Sequence, residues 1–143
     1  MTSAISSFGT LLKIGDGGGT EVFTTIAEVL DISGPGLSLG TEDVTSHSST
    51  GGWKEKVPTL LDAGQVSFDV NFVPTGATQS YSAGLVKDMV NKTKRNFQII
   101  FPDSTTTTWS FSAYVVGFEP SAPVEGKLGA SVTLEITGQP TLE

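Results

Sequence analysis

The chain has 143 residues, no cysteine and a formal net charge of −7. That length suits one domain, 1–143, burying about two-thirds of its unfolded surface. The composition excludes disulfides, thiolate metal sites and thiol nucleophiles, and the negative balance argues against tight binding to DNA, which needs phosphate neutralisation.

Residues 1–10 are small and polar and read as a mobile terminal segment, or one that orders on assembly. Leu11 to Ile14 reads as a short strand. Gly15-Asp16-Gly17-Gly18-Gly19 reads as a turn, because glycine accepts positive φ without steric cost. A phosphate-cradling loop would need a following Gly-Lys-Ser/Thr and the start of a helix, and neither is there. Val22 to Ile32 is β-branched and apolar with weak alternation and predicts one strand, a short helix being the alternative that periodicity leaves open, ended by Ser33-Gly34-Pro35-Gly36.

Thr41 to Gly52 (TEDVTSHSSTGG) is polar and almost free of apolar side chains. Most connections run about 4–6 residues, and unstructured ones beyond roughly 12–15 are functional or disordered. Residues 40–57 are therefore expected to form an extended, hairpin-like arm. At about 3.3 Å per residue, each side projects some 25 Å from a body whose radius of gyration is about 14–15 Å. The arm can reach a neighbouring molecule. Pro58 marks an edge or a turn, and Leu60 and Leu61 lead into a turn at Asp62-Ala63-Gly64.

Gln65 to Pro74 alternates cleanly. Val66, Phe68, Val70 and Phe72 lie on one side and Ser67, Asp69 and Asn71 on the other, the period of a strand with one buried face. Tyr81 to Thr93 predicts the one helix, with Tyr81, Leu85, Val86, Met89 and Val90 on a stripe, Ser80 or Ser82 as cap and lysines toward its end. Such a helix covers one side or edge of a sheet. Phe97 to Phe101 is a strand. In Trp109 to Phe118 the apolar phase slips, which predicts a bulge near Ala113–Tyr114 or a segment buried on both faces. Glu119 to Pro123 reads as a connector. Leu128 to Ile136 alternates as the last strand, ended by Gly138-Gln139-Pro140. The expected fold is mainly β, an antiparallel β-sandwich or partly closed barrel with one flanking α-helix and a long arm.

A search for chemistry finds none. His47 is the only histidine. It is flanked by serines in the polar arm, a poor place to hold an imidazole against a carboxylate. Asp16, Glu21, Glu42 and Asp43 lack the spacing of a calcium loop. Lys87, Lys92, Lys94 and Arg95 form a basic group without interleaved aromatics, which fits a solvated face better than a nucleic-acid patch. They also fit an acidic surface on an identical neighbour. Six of the first 43 residues are acidic (Asp16, Glu21, Glu28, Asp31, Glu42, Asp43) against Lys13 alone. Opposite charges on two faces favour head-to-tail, open-ended assembly.

The order of TLLKIGDG, a strand ending in ISGPGLS, the arm EDVTSHSSTGG and the run WKEKVPTLLDAGQVSFDVNFVP resembles the major tail tube proteins of long-tailed, non-contractile, lambda-like bacteriophages (siphoviruses). The resemblance covers essentially the whole chain. It implies a structural virion protein rather than an enzyme, with no cofactor and no bound metal. It implies hexameric rings that stack into a tube around a tape-measure protein, with tail tip and tail terminator proteins as further partners. Double-stranded DNA passes through without specific binding, and no membrane insertion by this chain is expected. Assembly would take place in the bacterial cytoplasm, and the product would reside in the virion.

On that resemblance the arm residues Glu42, Asp43, Trp53, Lys54, Glu55 and Lys56 are expected at contacts between subunits or rings. Trp53 is a natural anchor for a neighbour's pocket, the alternative being that it folds back on its own core. Asp69 and Glu135, on the polar faces of their strands, are candidates for the channel wall, the alternative being ordinary outer exposure. Lys87, Lys92, Lys94 and Arg95 are candidates for a basic assembly face. Competing readings are another phage β-sandwich, such as a tail terminator or head decoration protein, and a carbohydrate-binding module. The last needs exposed coplanar aromatics, whereas Trp109, Tyr114 and Tyr81 sit in phases that suggest burial.

Overall fold

The computed structural model describes residues 2–143; Met1, the first residue of the expected mobile segment, lies outside them. Nine strands and one short helix follow in the order β1 (Leu11–Gly15), β2 (Phe23–Thr25), β3 (Val29–Ser33), β4 (Ser38–Asp43), β5 (Lys56–Asp62), β6 (Gln65–Asn71), α1 (Leu85–Val90), β7 (Arg95–Ile100), β8 (Thr108–Ser121) and β9 (Gly129–Leu142). Seven strands form one antiparallel sheet in the order β2-β1-β7-β8-β9-β6-β3. β4 and β5 pair only with each other.

The expected strand over Val22 to Ile32 is in fact two. Glu28 turns the chain with φ 62°, and the halves go to opposite edges of the sheet. Only Ile26, Ala27 and Glu28 separate β2 from β3. Four residue steps span at most about 14 Å, so the two edges must approach each other. The sheet curls without closing, and Leu12, Phe97, Phe111, Leu134 and Val66 from five different strands share one core. This is the sandwich-like, partly closed arrangement the alternation predicts.

Gln79 holds the opening shut. Its side chain is fully buried. Oε1 accepts from the Val73 amide at 2.9 Å, and Nε2 donates to the Ala27 carbonyl at 2.9 Å and the Asn71 carbonyl at 3.2 Å. Beside it, the Ala27 amide donates to the Thr78 hydroxyl at 3.1 Å. One side chain thus ties the link between the edge strands to the end of β6.

The helix is shorter than its apolar stripe predicts. Residues up to Ser80 form tight turns, with the Gln79 and Ser80 amides donating to the Gly76 carbonyl. α1 begins only after Gly84, which lacks a side-chain cap bond. A Cβ on Gly84 would strike the backbone of Thr78 and Gln79. That contact, which only glycine permits, fixes where the helix starts. Leu85 and Asp88 face inward, whereas Tyr81, Met89 and Val90 are exposed. α1 packs on β8, whose pairing with β7 stops at Ala113. The helix therefore stands beside a strand edge that has lost its neighbour.

β8 is longer than predicted and its irregularity lies elsewhere. The inward phase runs on through Ala113 to Val115, and Tyr114 and Val116 face outward, partly exposed. The register shifts between Val115 and Gly117, so Val116 is the extra residue, and another shift lies between Ser110 and Ser112. Beyond Val116, Phe118 returns inward opposite Val132 and meets Phe72 edge-on at 5.2 Å. Both long strands absorb segments that read as connectors: β8 runs through Pro120 to Ser121, and β9 through Gly138 and Pro140 to Leu142. The 15–19 turn is as read, with Asp16 Oδ1 accepting from the amides of Gly18 at 2.8 Å and Val22 at 3.3 Å. These bonds hold the Asp16 carboxyl below its ordinary pKa.

Replacing Gln79 by leucine keeps similar bulk but leaves two carbonyls and an amide without partners. Each unsatisfied buried group costs about 1–3 kcal/mol, so the Gln79→Leu protein should lose roughly 3 kcal/mol or more of unfolding free energy. Urea titration checks this: the midpoint falls while the slope stays unchanged.

Candidate assembly interface

The expected arm is present, with wider bounds than 40–57. β4 and β5 form a two-stranded hairpin, Ser38 opposite Asp62 and Asp43 opposite Lys56. Leu60 and Leu61, read as the approach to a turn, belong to its return strand. Pro58 is tolerated because the register shifts between Leu39 and Thr41, and Thr41 faces Pro58 across that irregularity. Every residue of both strands is exposed.

The arm leaves the body through a fixed base. Gly64 adopts φ 71°, and its amide donates to Asp62 Oδ1 at 2.9 Å. A Cβ on Gly64 would collide with the backbone of Gly36, where the outgoing side starts. The Gly64 carbonyl accepts from the Ile136 amide at 3.1 Å, anchoring the base to β9. The positive φ and the close approach together demand glycine here. Beside the base, Leu37, Leu61, Trp109, Pro140 and Leu142 line an apolar cleft of about 580 Å³.

The tip is built by hydroxyls. The Glu55 amide donates to Thr45 Oγ1 at 2.8 Å, and the Ser49 hydroxyl donates to Glu55 Oε2 at 2.6 Å. A single 3-10 turn at Thr50–Gly52 delivers Trp53. Trp53 is 78 % exposed, so it does not fold back on its own core. The Thr45 hydroxyl and then its amide, 2.9 Å from Asp43 Oδ1, lower the Asp43 pKa. Glu42, Lys54 and Lys56 are exposed beside it, as is His47.

A two-stranded ribbon wet on both faces is marginal in water. Leu60 and Leu61 are 85 % and 80 % exposed. Full burial of each against a partner gains about 1.5–3 kcal/mol, whereas an exposed ion pair contributes about 0–1. Apolar contact would supply the affinity of such an arm, and its charges the orientation.

The other candidates fall in two places. Asp69 on β6 and Glu135 on β9 lie on the same face of the sheet, away from the core. Asp69 accepts from the Ser131 hydroxyl at 2.9 Å, and Glu135 stands opposite Gln65 and Tyr114. The basic group is divided. Lys87, Lys92 and Lys94 are exposed on and after α1. Arg95 turns inward: Nε donates to the buried Asp88 carboxylate at 3.1 Å and Nη1 to the Asp16 carbonyl at 2.6 Å. Its charge is used inside the subunit, which removes it from a free basic face.

Among the described residues no group of three or more His, Cys, Asp or Glu side chains could hold a metal ion. Among the described residues no helix is long and apolar enough to cross a membrane. Two aromatics read as buried are not: Tyr81 is 69 % exposed and Tyr114 partly so. With Phe8 near the N-terminus, Tyr81 before the helix, Tyr114 on the sheet and Trp53 at the arm tip, the exposed rings among the described residues are dispersed over separate segments. Gln79 and the Gly36–Gly64 contact were missed by the sequence reading. An isolated glutamine among turn residues carries no periodic signal.

The family model for the lambda phage tail tube protein matches residues 16–143. No curated protein sequence matches the chain. Among solved structures, the tail of an empty GTA particle with C6 symmetry superposes with TM-score 0.76 at 21 % identity, covering 98 % of this chain and 99 % of that one. The sheath/tube terminator structure of an extracellular contractile injection system gives TM-score 0.71 at 13 % identity, covering 100 % and 99 %. The SPP1 tail tube gives 0.62 at 15 %, covering 93 % and 75 %. At such identities these likenesses speak for the fold.

The arm tip supplies a titration test. Asp43's lowered pKa means its contribution to order is full above the ordinary carboxylate pKa and lost as pH falls through the lowered value. Thr45→Val should raise the Asp43 pKa toward the ordinary value and loosen the tip, as read by side-chain NMR titration and faster amide exchange at Glu55.

Proposed function

Because the chain belongs to the lambda phage tail tube protein family, a family of structural virion proteins, we propose that it forms hexameric rings and that its arm fastens one ring to the next. The observation that carries this reading is the β4–β5 hairpin, exposed on both faces and tipped by an exposed Trp53. A ribbon on a glycine-fixed base gains its stability from a surface outside its own subunit. Glu42, Asp43, Trp53, Lys54, Glu55 and Lys56 make that contact, with Glu55 also tying the tip together.

The face bearing Asp69 and Glu135 lines the channel. Across β6, β8 and β9 it presents serine, threonine, glutamine and carboxylate groups beside Tyr114 and Val116, with Lys13 on β1 as the base among its strand residues, a wall with little cationic charge for passing double-stranded DNA to grip. The chain performs no catalysis and needs no cofactor. It assembles in the host bacterial cytoplasm around a tape-measure protein, between tail tip and tail terminator proteins.

Deleting Glu42 to Gly51 should leave the body folded, with thermal unfolding little changed, and abolish tubes in negative-stain micrographs. Collapse of the body on deletion would contradict the reading. Asp69→Lys should leave tubes of normal appearance but lower plaque yield by an order of magnitude or more. Wild-type infectivity would take Asp69 off the channel wall.

A further inference from the structure

The arm and the segment that leads to the helix leave β6 at opposite ends. β6 begins at Gln65, just after the arm's base, and ends at Asn71, from which the chain turns toward α1. Its seven residues set those exits about 20 Å apart.

The two ends differ in charge and share an unmet apolar character. Between Leu37 and Ala63 there are four acids (Glu42, Asp43, Glu55, Asp62) and two bases, Lys54 and Lys56. At the helix, Asp88 and Arg95 neutralise each other, which leaves Lys87, Lys92 and Lys94 without an opposite charge. Beside these lysines stand exposed apolar side chains: Tyr81 at 69 %, Val90 at 52 % and Met89 at 36 %. Lys87 and Val90, three residues apart, share one side of the helix.

Resting on the tail-tube reading, we propose that the exposed side of α1, framed by Lys87, Lys92 and Lys94, is the receptor for the acidic arm of a second copy of this chain. Trp53 seats against Tyr81, Met89 and Val90, and Glu42 and Asp43 meet the lysines. The contact is heterologous, arm to helix, so each copy keeps one free arm and one free helix face and the series stays open-ended. It assigns the three lysines a partner and explains why Met89 and Val90 remain in water in the isolated subunit.

The test reverses charge on one side at a time. Variant one carries Lys87→Glu and Lys92→Glu; variant two carries Glu42→Lys and Asp43→Lys. All four side chains are exposed, and circular dichroism checks that both proteins fold. Each alone should form at least tenfold less sedimentable tube than the unaltered chain, because like charges then face each other. An equal mixture should recover most of the tube, since each variant's arm matches the other's helix. Normal tubes from either variant alone, or no recovery in the mixture, overturn this pairing and leave the tail-tube reading standing. Failure of the unaltered chain to form any tube overturns both.

Discussion

Three residues decide the shape of this subunit. Ile26, Ala27 and Glu28 connect strands that end up at the two outer edges of a seven-stranded sheet. So short a link cannot join the edges of a flat sheet, so the sheet has to curl and shelter its apolar face. The core side chains of β1 and β6, four places apart in strand order, then meet in one cluster. The buried amide of Gln79 satisfies the backbone groups exposed where the curl stops short of closing. Curl, core and Gln79 depend on one another.

A stiff body is what gives the arm a direction. The hairpin gains little from its own two strands, and its base is fixed by the approach of Gly64 to Gly36 and by the bond to β9. Order at the tip comes from Thr45, Ser49 and Glu55, all polar and all local. The element is shaped before it has a partner, which lowers the ordering cost of binding. Its exposed leucines and Trp53 are tolerable on a structural protein whose working state is an assembly.

The two faces of the sheet differ in chemistry. Alternation along β6 and β9 sends Val66, Phe68, Val132 and Leu134 inward and Asp69 and Glu135 outward. What the outward face offers is a largely hydrogen-bonding surface on which Asp69 and Glu135 outnumber Lys13. For a tail tube protein, that suits a wall past which a polyanion must move.

The sequence by itself determined the local matters. Period-two alternation located β6 and β9, glycine marked the breaks at residues 15–19 and at Gly64 though not at Gly138, and the length and polarity of residues 41–52 marked the arm. These properties depend on backbone sterics and on one buried face, which neighbouring residues declare. Tertiary structure decided the rest. Val22 to Ile32 is rich in apolar and β-branched residues, and Glu28 reads there as one more polar position of a strand, so nothing local says that it breaks at Glu28 and serves both edges of the sheet. The stripe from Tyr81 to Val90 fits a longer helix, but the approach of Gly84 to Thr78 and Gln79 lets it start only at Leu85. Arg95 reads as one more base beside three lysines until the fold brings Asp88 and the Asp16 carbonyl to it. Which residues face water, which strand is an edge and which charge is already matched are set by partners far along the chain, and one-dimensional periodicity does not record them.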